Sequence, residues 1–158
     1  MIFTLVGMPA SGKSSIGMLL SKRLSRAFLD TDAMITEKHG CISDIFRNVG
    51  ESAFRDIESE AVKEASRTSA SVIATGGGAI LRQENVNALR ENGRIYFLDR
   101  PLDMLIPTSD RPTASTKEAI ERRFLERYSI YKASADCIID ASGDLSETAE
   151  KIISDFFG

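Results

Sequence analysis

A three-layer α/β fold, with a five-stranded parallel sheet flanked by helices, follows from three features of the sequence. Five short apolar runs recur along the chain, helix-period segments separate most of them, and the chemically versatile residues stand just after the runs end. Parallel strands need long crossovers, and right-handed crossovers place helices on both faces of the sheet. Ligands are then expected at the carboxyl ends of the strands. At 158 residues the chain has the length of one domain and needs neither disulfides nor metal to close a core.

The elements follow in order. Ile2 to Val6 is a β-rich apolar run that stops at Gly7, a buried strand. Ile16, Leu19, Leu20 and Leu24 then share one helical face, which predicts a helix from about Lys13 to Ser25. Ala27-Phe28-Leu29 is the second run, and a short helix after Asp30-Thr31-Asp32 ends near His39, with Gly40 as its cap. Ser43 to Asn48 reads as a separate helical piece. Glu51 to Arg67 carries Phe54, Ile57, Ala61 and Ala65 at spacings of three and four, a longer amphipathic helix. Val72-Ile73-Ala74 is the third strand, followed by three glycines. Gln83 to Asn92 is helical with Gly93 as its stop, and Arg94 to Leu98 is the fourth strand. A stretch holding Pro101, Pro107 and Pro112 leads into a charged helix from about Lys117 to Lys132. Cys137 to Ile139 is the fifth strand, and a helix from Leu145 to Phe157 closes the chain, with Phe156 and Phe157 expected to pack it.

Composition removes several classes of function. Twenty Lys and Arg against 23 Asp and Glu give a formal charge of −3, so no basic field advertises nucleic acid or an anionic membrane. Cys41 and Cys137 are far apart and lack zinc-type partners, which disfavours a disulfide scaffold and a cysteine metal site. Gly7, Pro9 and Lys13 interrupt the apolar N-terminus too early for a signal peptide or a membrane span, so the cytoplasm is the expected compartment.

Gly7-Met8-Pro9-Ala10-Ser11-Gly12-Lys13-Ser14 fits G-x-x-x-x-G-K-[ST]. Glycines at both ends let the backbone turn tightly enough to aim successive N–H groups at phosphate oxygens, and the following helix presents its positive end. Lys13 supplies a cation for the β- and γ-phosphates, and the Ser14 hydroxyl can ligate Mg²⁺. A Gly-rich turn that binds nothing is the bland alternative, but the position between a strand and an amphipathic helix argues for nucleotide binding.

Asp30 and Asp32 flank Thr31. In an extended segment, residues two apart point the same way, so both carboxylates could serve one site; otherwise Asp32 merely caps the next helix. Arg55 and Glu58 are a helical i,i+3 pair, either a solvated surface pair or a carboxylate holding an Arg that clamps an anion. Gly76-Gly77-Gly78 suits close approach of backbone N–H groups to a ligand, or else a flexible turn. Arg111-Pro112 lies where a lid would be, and Arg127 is a second candidate anion ligand that, taken alone, would face solvent beside Arg122 and Arg123.

Together these residues resemble the shikimate kinase family of P-loop small-molecule kinases. The resemblance rests on the phosphate loop, Phe28-Leu29-Asp30-Thr31-Asp32, Ile45-Phe46 with Gly50-Glu51, Phe54-Arg55 and Glu58, Gly76-Gly77-Gly78 and Arg111-Pro112. It implies a P-loop kinase fold in one domain, with a substrate-binding segment at about 31–60 and a lid at about 102–116. The implied reaction is transfer of the γ-phosphate of ATP to the 3-hydroxyl of shikimate, with Mg²⁺, in a chain acting as a monomer. Position by position, Gly7, Ala10, Ser11, Gly12, Lys13, Ser14 and Ser15 would bind ATP. Ser14 would ligate the metal, with Asp30 supporting it through water. Lys13, Asp32 and Arg111 would be catalytic: Lys13 stabilising charge, Asp32 holding the acceptor hydroxyl, Arg111 closing over ATP from the lid. Arg55 and Arg127 would grip the shikimate carboxylate, Gly76, Gly77 and Gly78 its hydroxyls, and Phe46 and Phe54 would line the ring pocket. The sequence departs from the family at Ala10, at Ile106 to Asp110 (no adenine-side Arg), at Thr113 and at Arg127-Tyr128-Ser129-Ile130-Tyr131. A kinase of another polyol acid such as gluconate, and a non-catalytic nucleotide-binding module, are the competing readings.

Overall fold

The computed structural model describes residues 1–106 and 116–158. The expected lid segment at 107–115, with Arg111, Pro112 and Thr113, lies outside them. The element order is β1 (Ile2–Val6), α1 (Lys13–Leu24), β2 (Ala27–Asp30), α2 (Thr31–His39), α3 (Ile42–Ser66), β3 (Ser71–Ala74), α4 (Gln83–Glu91), β4 (Gly93–Asp99), α5 (Lys117–Ser134), β5 (Cys137–Asp140) and α6 (Leu145–Phe157). Short 3₁₀ turns at Ala79–Leu81 and Leu102–Met104 were not legible in the sequence pattern.

The five strands form one all-parallel sheet in the order β2-β3-β1-β4-β5. Strand β1 is central and wholly buried, as its unbroken apolar run requires. Its alternating side chains feed two cores. Ile2 and Val6 join Val62, Ala65, Val86, Leu89 and Tyr131 on the face covered by α3, α4 and α5. Phe3 and Leu5 join Ile16, Leu20, Ala149 and Ile152 on the face covered by α1 and α6. A smaller cluster of Ile35, Ile45, Phe54 and Ala61 packs α2 against α3. These are the three expected layers.

Three sequence expectations change in detail. The helical pieces at Ser43–Asn48 and Glu51–Arg67 are one element, α3, broken at Gly50, whose φ of 84° and ψ of 173° leave the helical region where only glycine is at ease. Gly93 does not merely stop α4 but opens β4, pairing with Ile2. At the C-terminus Phe156 stacks on Phe3, with ring centroids 3.8 Å apart, whereas Phe157 is left exposed because the helix ends there.

The topology places the site. The phosphate loop follows β1 at the middle of the sheet, the glycine triplet follows β3 on one side of it, and Asp30 ends β2 one strand further out. Among the described residues no helix is long and apolar enough to cross a membrane.

Candidate active site

The phosphate loop runs from Gly7 to the first turn of α1. Gly12, at the N-cap, has φ 93° and no side-chain cap, which leaves the helix N-terminus to a ligand. Ala10, where the sequence departs from the family, also takes a left-handed backbone, with φ 68°. Lys13 is buried, and its ammonium donates to the Gly7 and Met8 carbonyls at 2.8 and 2.7 Å. The cation is thus held over the loop it serves. Ser14 is half-buried and its hydroxyl donates to Asp30 Oδ2 at 2.7 Å, while Ser15 is exposed.

Asp30 and Asp32 divide their work differently from the sequence reading. Strand β2 ends at Asp30 and α2 begins at Thr31, so the two carboxylates do not alternate along a strand. Asp30 is the N-cap: its Oδ1 accepts from the Asp32 and Ala33 N–H groups at 3.0 and 3.3 Å. The capping role weighed for Asp32 therefore belongs to Asp30. Asp32 sits in the first turn of α2, and both carboxylates line the same cavity.

That cavity has a volume of about 400 Å³, in the range of small-molecule sites. It brings together Asp32, Phe46, Phe54, Arg55, Gly76, Gly77, Gly78 and Arg127, every residue assigned to substrate from the sequence. Phe46 and Phe54 form one apolar wall, their rings 4.6 Å apart. Arg127 is 3% exposed, so the solvent-facing reading fails. Arg55 and Glu58 are likewise no surface pair. Glu58 is 1% exposed and accepts from Arg55 Nη1 at 2.8 Å. Burial pushes the Glu58 carboxyl above its usual range, against the pull of Arg55. Arg55 Nε is buried with no hydrogen-bond partner, a cationic donor left for an anion to satisfy.

The glycine triplet is explained by contact. A Cβ on Gly76 would stand 2.6 Å from Asp32 Oδ1 and 2.9 Å from Glu58 Oε2, and one on Gly77 2.9 Å from Pro9 Cδ. One on Gly78 would overlap the Arg55 guanidinium. Each glycine makes room for a different neighbour, which a flexible turn would not require.

Several contributors were not assigned to the site from the sequence. Thr31 is fully buried, and its Oγ1 accepts from the Gly76 N–H at 3.1 Å, tying the start of α2 to the triplet. Tyr131 is fully buried and donates to the Gly77 carbonyl. It stands four residues after Arg127 on α5, a spacing that could have found it. Pro9, Ala33, Thr36, Cys41, Ile42 and Glu58 complete the lining. Both cysteines are free. The catalytic and ATP-binding role expected of Arg111 falls outside the described residues.

Comparison with known proteins agrees with this geometry. The family model described as shikimate kinase matches residues 9–156. Shikimate kinase of Clostridium botulinum is 44% identical over 153 residues, covering 94% of this chain and 92% of that one. The Thermodesulfovibrio yellowstonii enzyme of the same name is 38% identical over 161 residues, covering 96% and 92%. Among solved structures, shikimate kinase from Acinetobacter baumannii in complex with shikimate superposes with a TM-score of 0.91 at 29% identity, covering 99% of this chain and 92% of that one. Shikimate kinase from Aquifex aeolicus gives 0.87 at 32% identity, covering 100% and 97%.

Proposed function

This chain belongs to the shikimate kinase family, and from that premise we propose that it transfers the γ-phosphate of ATP to the 3-hydroxyl of shikimate, giving shikimate 3-phosphate and ADP. The observation that carries the reading is the convergence of Asp32, Arg55, Arg127 and the glycine triplet on one cavity beside the phosphate loop. Two buried guanidinium groups in the lining suit a carboxylate, the backbone of the triplet suits hydroxyls, and the Phe46–Phe54 wall suits a carbon ring.

In the reaction, the phosphate loop from Gly7 to Ser15 holds ATP through its N–H groups and the α1 N-terminus. Lys13 leaves its loop carbonyls for phosphate oxygens and stabilises the charge on the transferring group. Asp32 holds the acceptor hydroxyl and takes its proton. Arg55, kept in place by Glu58, and Arg127 orient the substrate so that one hydroxyl faces the phosphate. Arg111 is assigned to closing over ATP on the resemblance alone. The Ser14 hydroxyl and Asp30 carboxylate, 2.7 Å apart beside the loop, are the hard oxygen donors that Mg²⁺ prefers. Bound there with the phosphates, Mg²⁺ would neutralise charge on the nucleotide, with Asp30 acting through water. The proposed setting is the cytoplasm, with the chain working as a monomer.

The test is ADP release from ATP and Mg²⁺ with shikimate, with gluconate and with no acceptor, followed by NMR location of the phosphate. Shikimate-dependent release with phosphate on the 3-hydroxyl is expected. Turnover of gluconate but not shikimate would move the assignment to another polyol acid, and nucleotide binding without any turnover to a non-catalytic module.

A further inference from the structure

Resting on the reading of the cavity as the shikimate site, we propose that Tyr131 is a positioning residue for it. Its hydroxyl donates to the Gly77 carbonyl at 2.5 Å, which fixes the peptide plane between Gly77 and Gly78 and seats α5 against the glycine triplet. Three successive glycines have no side chains to restrain their peptide planes. In a trans peptide the C=O and the following N–H point in opposite directions, so holding the Gly77 carbonyl sets the direction of the Gly78 N–H. Gly77, Gly78 and Arg127 all line the cavity.

The donor is itself well held. Tyr131 is fully buried and its ring stacks on Phe97, with centroids 5.1 Å apart. Burial pushes the phenol up to about 12, against the pull of Arg127, so it stays a donor throughout the neutral range. Arg127 lies one turn earlier on the same helix, and Tyr128 next to it donates to Asp99 Oδ2 at 2.7 Å, anchoring α5 to the end of β4. One hydroxyl thereby sets the spacing between the substrate arginine of α5 and the backbone that faces it.

Tyr131→Phe keeps the ring and its stacking and removes only the donor. The shikimate KM should rise about tenfold, with the ATP KM and kcat at saturating shikimate within about twofold of wild type. Ile152→Ala, in the core on the opposite face of the sheet, is the control for simple loosening: a lower Tm, with the shikimate KM within about twofold. Amide exchange of residues 75–79 supplies a readout that needs no substrate, and it should be faster in Tyr131→Phe. The variant is also made in a Thr4→Val background to offset lost stability. An unchanged shikimate KM, equal rises in both KM values, unchanged exchange, or a chain that does not fold in either background would each overturn the proposal. A wild-type protein that ignores shikimate would overturn the functional reading, leaving exchange to judge the role of Tyr131.

Discussion

The Arg55 guanidinium occupies the space in which a side chain on residue 78 would begin. The guanidinium is held through Nη1 by Glu58, so it cannot retreat without leaving a buried carboxylate alone. Gly78→Ala should therefore displace Arg55 and lower kcat/KM for shikimate by about 10²-fold. The ATP KM should stay near its wild-type value. Steady-state kinetics with each substrate varied in turn will decide, and a near-normal shikimate KM would show that Arg55 does not orient the substrate.

Asp32 offers a sharper division. Asp30 already caps α2 and holds Ser14, so Asp32→Asn leaves the helix start intact. Turnover is expected to fall by about 10²–10⁴-fold, the range for loss of a general base. Nucleotide binding by calorimetry should be unchanged. Activity close to wild type would remove Asp32 as the base.

Glu58 gives a pH signature. Burial holds its folded-state pKa above the unfolded value, so its proton is bound more tightly in the folded chain. Stability from this group is then full below the unfolded pKa and is lost as pH rises through the raised folded value. Glu58→Gln cannot titrate, so its Tm relative to wild type should improve as pH rises from the acid side. The same substitution weakens the grip on Arg55 and should raise the shikimate KM. A Tm difference that is flat across that pH range would contradict the assignment.

Thr4 tests the core. It is fully buried at the centre of the sheet, and its hydroxyl has no hydrogen-bond partner. Thr4→Val replaces the hydroxyl by a methyl of similar size and should add about 1 kcal/mol. Denaturant unfolding will measure it, with kinetics unchanged because Thr4 does not line the cavity.

The sequence by itself determined the order of strands and helices along the chain and the phosphate loop, and it offered the residues of the cavity only through a family resemblance. The apolar runs and helical periods are local patterns, and the loop works through its own backbone, so neither needs a distant partner to be recognised. Only the tertiary structure decided the roles within the site. Asp30 or Asp32 as cap depended on where β2 stopped, which its pairing with β3 sets. Arg55, Glu58 and Arg127 look like ordinary helix-surface charges until α3, the glycine triplet and α5 converge and take them out of water. Tyr131 and Thr31 find their partners 54 and 45 residues away. Burial and long-range hydrogen bonds belong to pairs of segments, and a pattern along one segment does not contain them.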